Sequence, residues 1–197
     1  MLIAPFRNAE EIFRQASLCG EPVVFPTDTI YGIGAPLSDK KANDKIFDIK
    51  GRDRSKPFPV LISSVEQAAE LAVFDEKCKR IMEFLWSNGS FTLLLKGKKE
   101  VDDLYKLNDT IALRLPHMSI LKQLINKTGP LSATSANPSG VEYTSDTSII
   151  MNQFKDLVHF FIISENTNTT SSTIIDLTAP KPAVLRGNFD LSRLSDI

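Results

Sequence analysis

The sequence has 197 residues, 42% of them hydrophobic and 24% charged, and a formal net charge of −1. This length suits one domain, so we expect residues 1–197 to form a single domain without additional catalytic modules. The near-zero net charge argues against general attraction to nucleic acid, and any site for a polyanion must therefore be local. No apolar run is long enough to span a bilayer, and the N-terminus lacks the pattern of a signal peptide, which predicts a cytoplasmic protein.

The spacing of hydrophobic residues predicts helices that alternate with strands along the chain. Helices are expected at residues 9–19, from about 42 to a C-terminal cap at Gly51, and at 64–72, 75–86, 118–127 and 146–155. Strands are expected at 22–26, 59–63, 91–96, 110–116, 130–136, 158–164, 172–177 and 182–186. This order predicts an α/β fold with a twisted, open, mixed sheet flanked by helices on both faces.

Hydroxyl residues and glycines follow the first predicted strand, in the stretch VVFPTDTIYGIGAP. In open α/β sheets, ligands bind where loops leave the ends of strands. Thr27 and Thr29 offer hydroxyl donors and acceptors there, and Gly32 and Gly34 would let the backbone approach a ligand. The alternative is a turn in which the polar side chains bond their own backbone, and this stretch alone favours the turn.

Three other stretches also place polar residues beside predicted strands. KGRDRSKP supplies Lys50, Arg52 and Lys56, and two cations near one another can hold a single anion. SATSANPSG, at residues 132–140, follows an apolar strand with hydroxyls and an amide. RLPH places Arg114 in a strand suited to burial, where an arginine needs an anionic partner. A helix cap, a turn and a structural ion pair are the respective alternatives.

Taken in order, PTDTIYGIG, KGR followed by KP, RLPH, TSANPSG, SSTIID and LRG resemble the YrdC family, from about residue 10 to about residue 187. The resemblance implies a single YrdC-like domain that makes threonylcarbamoyl-AMP and pyrophosphate from L-threonine, bicarbonate and ATP. This reaction is the first step of the N6-threonylcarbamoyladenosine modification of tRNA. A separate threonylcarbamoyl transferase complex would act downstream.

The resemblance also implies two sets of contact residues. The ATP-binding set is Lys50, Arg52, Lys56, Thr110, Ser135, Asn137 and Arg186, of which Lys50 and Arg52 take the catalytic part. The threonine-binding set is Thr29, Arg114, Ser172 and the backbone near Ala133, with Tyr31 in the same loop as Thr29. Mg²⁺ is expected to bind mainly through ATP, without a protein ligand. These motifs hold cations and hydroxyls but no nucleophilic triad, which fits a protein that positions reactants and neutralises charge.

Three departures from the family pattern weaken the assignment of threonine as the substrate. SNGS at residues 87–90 stands where many members have PGP, Ser171 stands where many have Glu, and Leu61 replaces a common histidine. One alternative is therefore a paralogue that acts on another carbamoyl-adenylate. The other is an RNA-binding module without synthase activity that holds tRNA on the basic segment 40–56, although mixed charge runs are usually solvated helix faces.

Overall fold

The computed structural model describes residues 1–54, 56–164, 170–195 and 197. The α-helices of this part of the chain are α1 (Ala9–Cys19), α2 (Lys40–Lys50), α3 (Val65–Leu71), α4 (Glu76–Asn88), α5 (Ser119–Thr128) and α6 (Thr147–Phe154). Its strands are β1 (Leu2–Pro5), β2 (Val23–Phe25), β3 (Gly32–Pro36), β4 (Val60–Leu61), β5 (Ala72–Val73), β6 (Phe91–Gly97), β7 (Lys106–Leu107), β8 (Thr110–Arg114), β9 (Leu131–Ser135), β10 (Phe160–Ile163), β11 (Thr173–Asp176) and β12 (Ala183–Arg186).

The strands form one open sheet in the order β1-β10-β2-β3-β9-β4-β8-β6-β11-β12, with β5 and β7 added on β6 and β8. Pairing is mixed: β1, β10 and β2 run parallel, whereas β3 is antiparallel to both of its neighbours. The predicted α/β class with an open, mixed sheet is confirmed. Among the described residues, no helix is both long enough and apolar enough to cross a membrane.

Alternate residues of β2 face opposite sides of the sheet, as the two-residue period of a strand requires. Phe25 packs with residues of α1 and α5, such as Phe13, on one side. Val24 packs with residues of α2 and α6, such as Phe47, on the other side. A third cluster joins α3 and α4 to β6 and β8. Helices therefore cover both faces, but α1 and α5 cover only part of theirs.

Four strands were missed by the hydrophobic pattern: β1, β3 and the two-residue strands β5 and β7. β1 lies at the sheet edge and is only partly buried, so its sequence shows little hydrophobic patterning. The stretch predicted as a ligand-facing loop contains β3, all of whose residues are buried between β2 and β9. Gly34 does not bring the backbone close to the cavity as expected, because a Cβ at its position would lie 2.0 Å from the carbonyl oxygen of Ser132, whereas Gly32 lines the cavity. Gly34 instead permits the close approach of β3 and β9.

Candidate functional site

A cavity of about 440 Å³ lies on the sheet face that α1 and α5 leave uncovered. This volume falls within the range of small-molecule sites. Strand register explains the shared orientation of several lining residues, since Thr92 pairs with Arg114 on one side and with Ile174 on the other. All lining residues come from strands and loops: Thr27, Thr29, Ile30, Tyr31, Gly32, Arg52, Pro57, Pro59, Leu61, Thr92, Leu94, Ala112, Arg114, Ala133, Thr134, Ser135, Tyr143, Ser171, Ser172, Ile174 and Arg186.

A larger cavity, of about 670 Å³, lies beside α4 and the turn between β11 and β12. Its charged lining consists of Asp75 and the lysines at positions 77, 96 and 181, and the rest is mostly apolar. None of the predicted contact residues belongs to the lining that the structure describes for this cavity. We therefore assign the candidate site to the smaller cavity, where three arginines, one of them buried, and several hydroxyls converge.

The loop after β2 combines the two interpretations of its sequence. The hydroxyl of Thr27 donates to the carbonyl of Ile30 (2.8 Å) and accepts the backbone N–H of Thr29 (3.1 Å), which is the predicted turn. Its oxygen also lies 3.0 Å from the Thr29 hydroxyl. Because Thr27 has already donated its only proton, Thr29 must be the donor of this pair. The Thr29 oxygen therefore keeps its acceptor lone pairs for the cavity that it lines.

Tyr31 contributes to the structure of this loop through its side chain. Its ring is 1% exposed and packs near Phe161, and its hydroxyl accepts the backbone N–H of Ser164 at 3.0 Å. The backbone N–H of Tyr31 donates to the hydroxyl of Tyr143 at 2.9 Å. Tyr143 thus joins the segment after β9 to the wall of the cavity, and burial raises the pKa of its hydroxyl.

Arg114, the last residue of β8, is 6% exposed and has the anionic partner that its burial requires. Its Nη2 donates to Oδ1 of Asp28 at 2.7 Å. Burial lowers the pKa of the guanidinium, the Asp28 charge opposes this effect, and Arg186 adds to it. The Nε of Arg114 is buried without a hydrogen-bond partner among the described residues. The contact with Asp28 therefore leaves part of the hydrogen-bonding capacity of this guanidinium unused.

Two further guanidinium groups line the same cavity. Arg52 donates to the carbonyls of Lys56 (2.8 Å) and Pro57 (3.2 Å) and lies over the ring of Phe58. Arg186 donates to the carbonyl of Ser172 at 3.0 Å. Burial lowers the pKa of both groups, and within the described ranges neither forms an ion pair with a carboxylate. A ligand with several negative charges would satisfy these cations.

Lys50 lies behind the cavity wall. It is the last residue of α2, where Gly51 ends the helix with a φ of 58°, and it is 5% exposed. Its ammonium donates to the carbonyls of Ser135 and, at 2.6 Å, Asn137. Burial, followed by the charge of Arg52, lowers the pKa of Lys50 to about 8. Lys50 thus holds together the two motifs that were assigned to the nucleotide.

The predicted contact residues separate into two groups by position. Seven line the cavity: Thr29, Arg52, Arg114, Ala133, Ser135, Ser172 and Arg186. The other four are absent from the described lining: Lys50, Lys56, Thr110 and Asn137. Thr110 lies on the same face of β8 as Ala112 and Arg114, but farther along the strand. Their roles as contacts stay predictions.

Asp28 and Tyr143 were missed by sequence reasoning. The available signal for Asp28 was the combination of a buried arginine that needs an anion and an acidic residue in a strand-end motif. Nothing in the sequence pairs positions 28 and 114, which lie far apart along the chain. Tyr143 lies in a polar segment without periodicity, which gives no signal.

Ion pairs neutralise much of the basic segment 40–56. Arg54 pairs with Asp44 and Asp48, and Lys40 pairs with Asp102. Lys45 pairs with Glu21. These contacts correspond to the solvated, mixed helix face that the sequence pattern favoured.

Together, the fold and cavity define an α/β protein with a candidate site whose three arginines suit an anionic ligand. Residues 15–187 match the model of a family described as "Telomere recombination", which comprises Sua5, YciO and YrdC proteins. This chain belongs to that family.

Curated relatives include proteins with and without an assigned activity. Threonylcarbamoyl-AMP synthase of Pyrococcus abyssi is 33% identical over 183 residues, covering 90% of this chain and 54% of its own. The uncharacterized protein YciO of Escherichia coli is 30% identical, covering 91% and 86%. A relative from Mycobacterium leprae is 31% identical over 90% of this chain and 82% of its own. The chain spans about half the length of the archaeal synthase.

Solved structures support the same fold. Sua5 of P. abyssi complexed with L-threonine superposes with a TM-score of 0.80 at 31% identity, covering 94% of this chain and 57% of that chain. E. coli YciO superposes with a TM-score of 0.81 at 27% identity, covering 94% and 92%.

Proposed function

We propose that this protein is a threonylcarbamoyl-AMP synthase. The observation that carries the proposal is the convergence of three arginines and several hydroxyls on one cavity. Among them, Arg114 is a buried guanidinium with an unpartnered donor. The synthase of that name from P. abyssi and the Sua5 structure complexed with L-threonine support the choice of reaction.

In the proposed reaction, the amine of L-threonine combines with bicarbonate, with loss of water, to give a carbamate. A carbamate oxygen then attacks the α-phosphorus of ATP, and pyrophosphate leaves. No protein nucleophile is needed, so the protein acts by orientation and by charge stabilisation. Arg52 and Arg186 would neutralise phosphate charge, and Arg114 would bind the threonine carboxylate.

The proposal assigns Mg²⁺ to the phosphates of ATP and to water, a common arrangement for this ion. Bound there, it would neutralise phosphate charge. No group of three or more His, Cys, Asp or Glu side chains in the described part of the chain is arranged to hold a metal. A downstream transferase that modifies tRNA would consume the product. A cytosolic location is proposed because ATP and tRNA are both present there.

The test is to incubate purified protein with ATP, Mg²⁺, bicarbonate and L-threonine. We expect pyrophosphate release and a threonine-dependent adenylate with the mass of threonylcarbamoyl-AMP. Omission of threonine, and its replacement by glycine, are the controls. Pyrophosphate release that does not depend on any amino acid would contradict the proposal.

A second candidate is a reaction on an amine other than threonine, as in a paralogue of the synthase. It is considered because the uncharacterized protein YciO matches this chain over most of both lengths. Ser171 and Leu61, two of the departures from the family pattern, both line the cavity and are suited to changing the substrate. The same assay distinguishes this candidate: an adenylate that forms with another amine and not with threonine would favour it.

A further inference from the structure

Asp28 lies at the junction of three separate parts of the chain. Its Oδ1 accepts from Nη2 of Arg114 at 2.7 Å. Its Oδ2 accepts from the backbone N–H of His117 at 3.0 Å and from the hydroxyl of Ser90 at 3.3 Å. The side chain is 11% exposed and is absent from the described lining of the cavity. Asp28 therefore supports the site through its contact with Arg114 and not as part of the described cavity wall.

The geometry of a guanidinium makes this support directional. The group is planar and its donors are rigidly arranged, so fixing Nη2 also fixes where the remaining donors point. Arg114 lines the cavity, and its Nε is buried and has no hydrogen-bond partner in the described ranges. Without Asp28, the side chain would lose the contact that selects this orientation.

The neighbouring contacts fix Asp28 in turn. Donors approach both of its oxygens, and a carboxylate accepts at each of them. His117 also lies 3.0 Å from the carbonyl of Gly89 through its Nε2, which joins the loop after β8 to the turn before β6. The carboxylate is consequently held by contacts with the end of β8, the loop after β8 and the turn before β6.

We infer that Asp28 is a positioning residue for carboxylate recognition: it orients Arg114 so that the guanidinium receives the carboxylate of the amino-acid substrate. Asp28 acts through Arg114 and does not contact the substrate. This inference rests on the proposed function for the identity of that substrate, whereas the orientation of Arg114 can be measured without it.

The first experiment compares Asp28→Asn with the parent protein. Asparagine keeps the shape but directs an N–H₂ group at one of the present donors, so the three contacts cannot all persist. We expect the KM for L-threonine to rise at least tenfold while the KM for ATP stays within about twofold, since misplacement of one group reduces effective positioning strongly. Asp103→Asn, which removes an exposed carboxylate at Lys106, is the matched control and should match the parent.

A double-mutant cycle separates positioning from general structural damage. If Asp28 acts through Arg114, Asp28→Asn should cause no further loss in an Arg114→Gln background. Equal losses in both backgrounds would overturn the inference. Ser90→Ala removes only the longest contact and should change the threonine KM by less than about twofold.

The second experiment needs no substrate. In protein labelled with ¹⁵N-arginine, the Nε–H resonance of Arg114, assigned by its loss in Arg114→Gln, should exchange slowly with water because the group is buried. Asp28→Asn should accelerate this exchange. An unchanged rate of Nε–H exchange would overturn the inference even if threonine proved to be the substrate. A faster exchange without any threonine-dependent reaction would contradict the proposed function alone.

Discussion

Lys50 shows how one residue can connect two motifs without lining the cavity. Its ammonium is buried at the end of α2 and donates to the carbonyls of Ser135 and Asn137. The ion has no carboxylate partner in the described part of the chain, and it lies near Arg52. Burial without a counter-ion disfavours the charged form, which explains the direction of the pKa change.

The lowered pKa of Lys50 predicts a pH dependence of stability. The pKa is about 8 in the folded protein and 10.5 as an ordinary lysine, so between these values the unfolded chain binds more protons. The contribution of this group to the free energy of unfolding therefore rises with pH between these two pKa values and is constant below them. Relative to Lys50→Met, the parent should gain on the order of 1 kcal/mol per pH unit. Urea unfolding of both proteins at about pH 7 and about pH 9.5 measures this gain.

Other lysines and tyrosines also titrate at high pH, so only the difference between parent and variant is informative. A difference in unfolding free energy that stays constant between the two pKa values would contradict the lowered pKa of Lys50.

A second prediction at this scale concerns Arg52. Arg52→Ala should weaken ATP binding at least tenfold, the scale of losing a charge-assisted contact of about 1.5 to 3 kcal/mol. Arg54→Ala is the matched control, because Arg54 belongs to the same loop but pairs with Asp44 and Asp48. Titration of each variant with ATP gives the comparison. Equal losses of ATP affinity in the two variants would indicate a general effect of loop charge and would contradict a direct role of Arg52 in ATP binding.

At the scale of elements, the predicted helices and most strands are found in the structure, because their hydrophobic spacing is regular. The helix at residues 9–19 has the predicted bounds. β3 was missed because GIGAP has no alternation and two glycines, a composition typical of turns. Its burial comes from tertiary pairing with β2 and β9, which local sequence does not encode. The convergence of Arg52, Arg114 and Arg186 likewise depends on sheet order, which the hydrophobic pattern leaves open.

The two glycines of β3 should respond differently to substitution. A Cβ at Gly34 would collide with the backbone of Ser132, so Gly34→Ala should lower the free energy of unfolding by about 1 to 3 kcal/mol. A Cβ at Gly32 would lie 3.4 Å from the carbonyl of Thr134, an ordinary contact, but Gly32 lines the cavity. Gly32→Ala should therefore reduce ligand affinity more than stability. Thermal unfolding and ATP titration of both variants test this, and equal destabilisation would contradict it.

At the scale of the whole molecule, a nearly neutral protein assembles a local cationic site. The net charge is −1, yet the described lining of the cavity has three arginines and no acidic side chain. A nearby carboxylate, Asp28, is absent from this lining and accepts a hydrogen bond from Arg114. Because helices leave this part of the sheet face open, loops from distant parts of the sequence meet there around one cavity.

Substrate selectivity should follow from this assembly. Thr29 donates its hydroxyl proton to Thr27, so its oxygen can only accept from a ligand, and a ligand hydroxyl is a suitable donor. Valine has the shape of threonine without that hydroxyl and would leave the Thr29 oxygen unpaired, which strongly disfavours such an analogue. Serine keeps the hydroxyl and lacks one methyl, so it should be weaker by only about 1 to 3 kcal/mol. Competition of each amino acid with L-threonine in the adenylate assay gives this order.

Thr29→Val should raise the KM for threonine and leave the KM for ATP nearly unchanged, the reverse of Arg52→Ala. If Thr29→Val alters only thermal stability, the loop after β2 acts as a turn alone, and hydroxyl recognition lies elsewhere in the cavity.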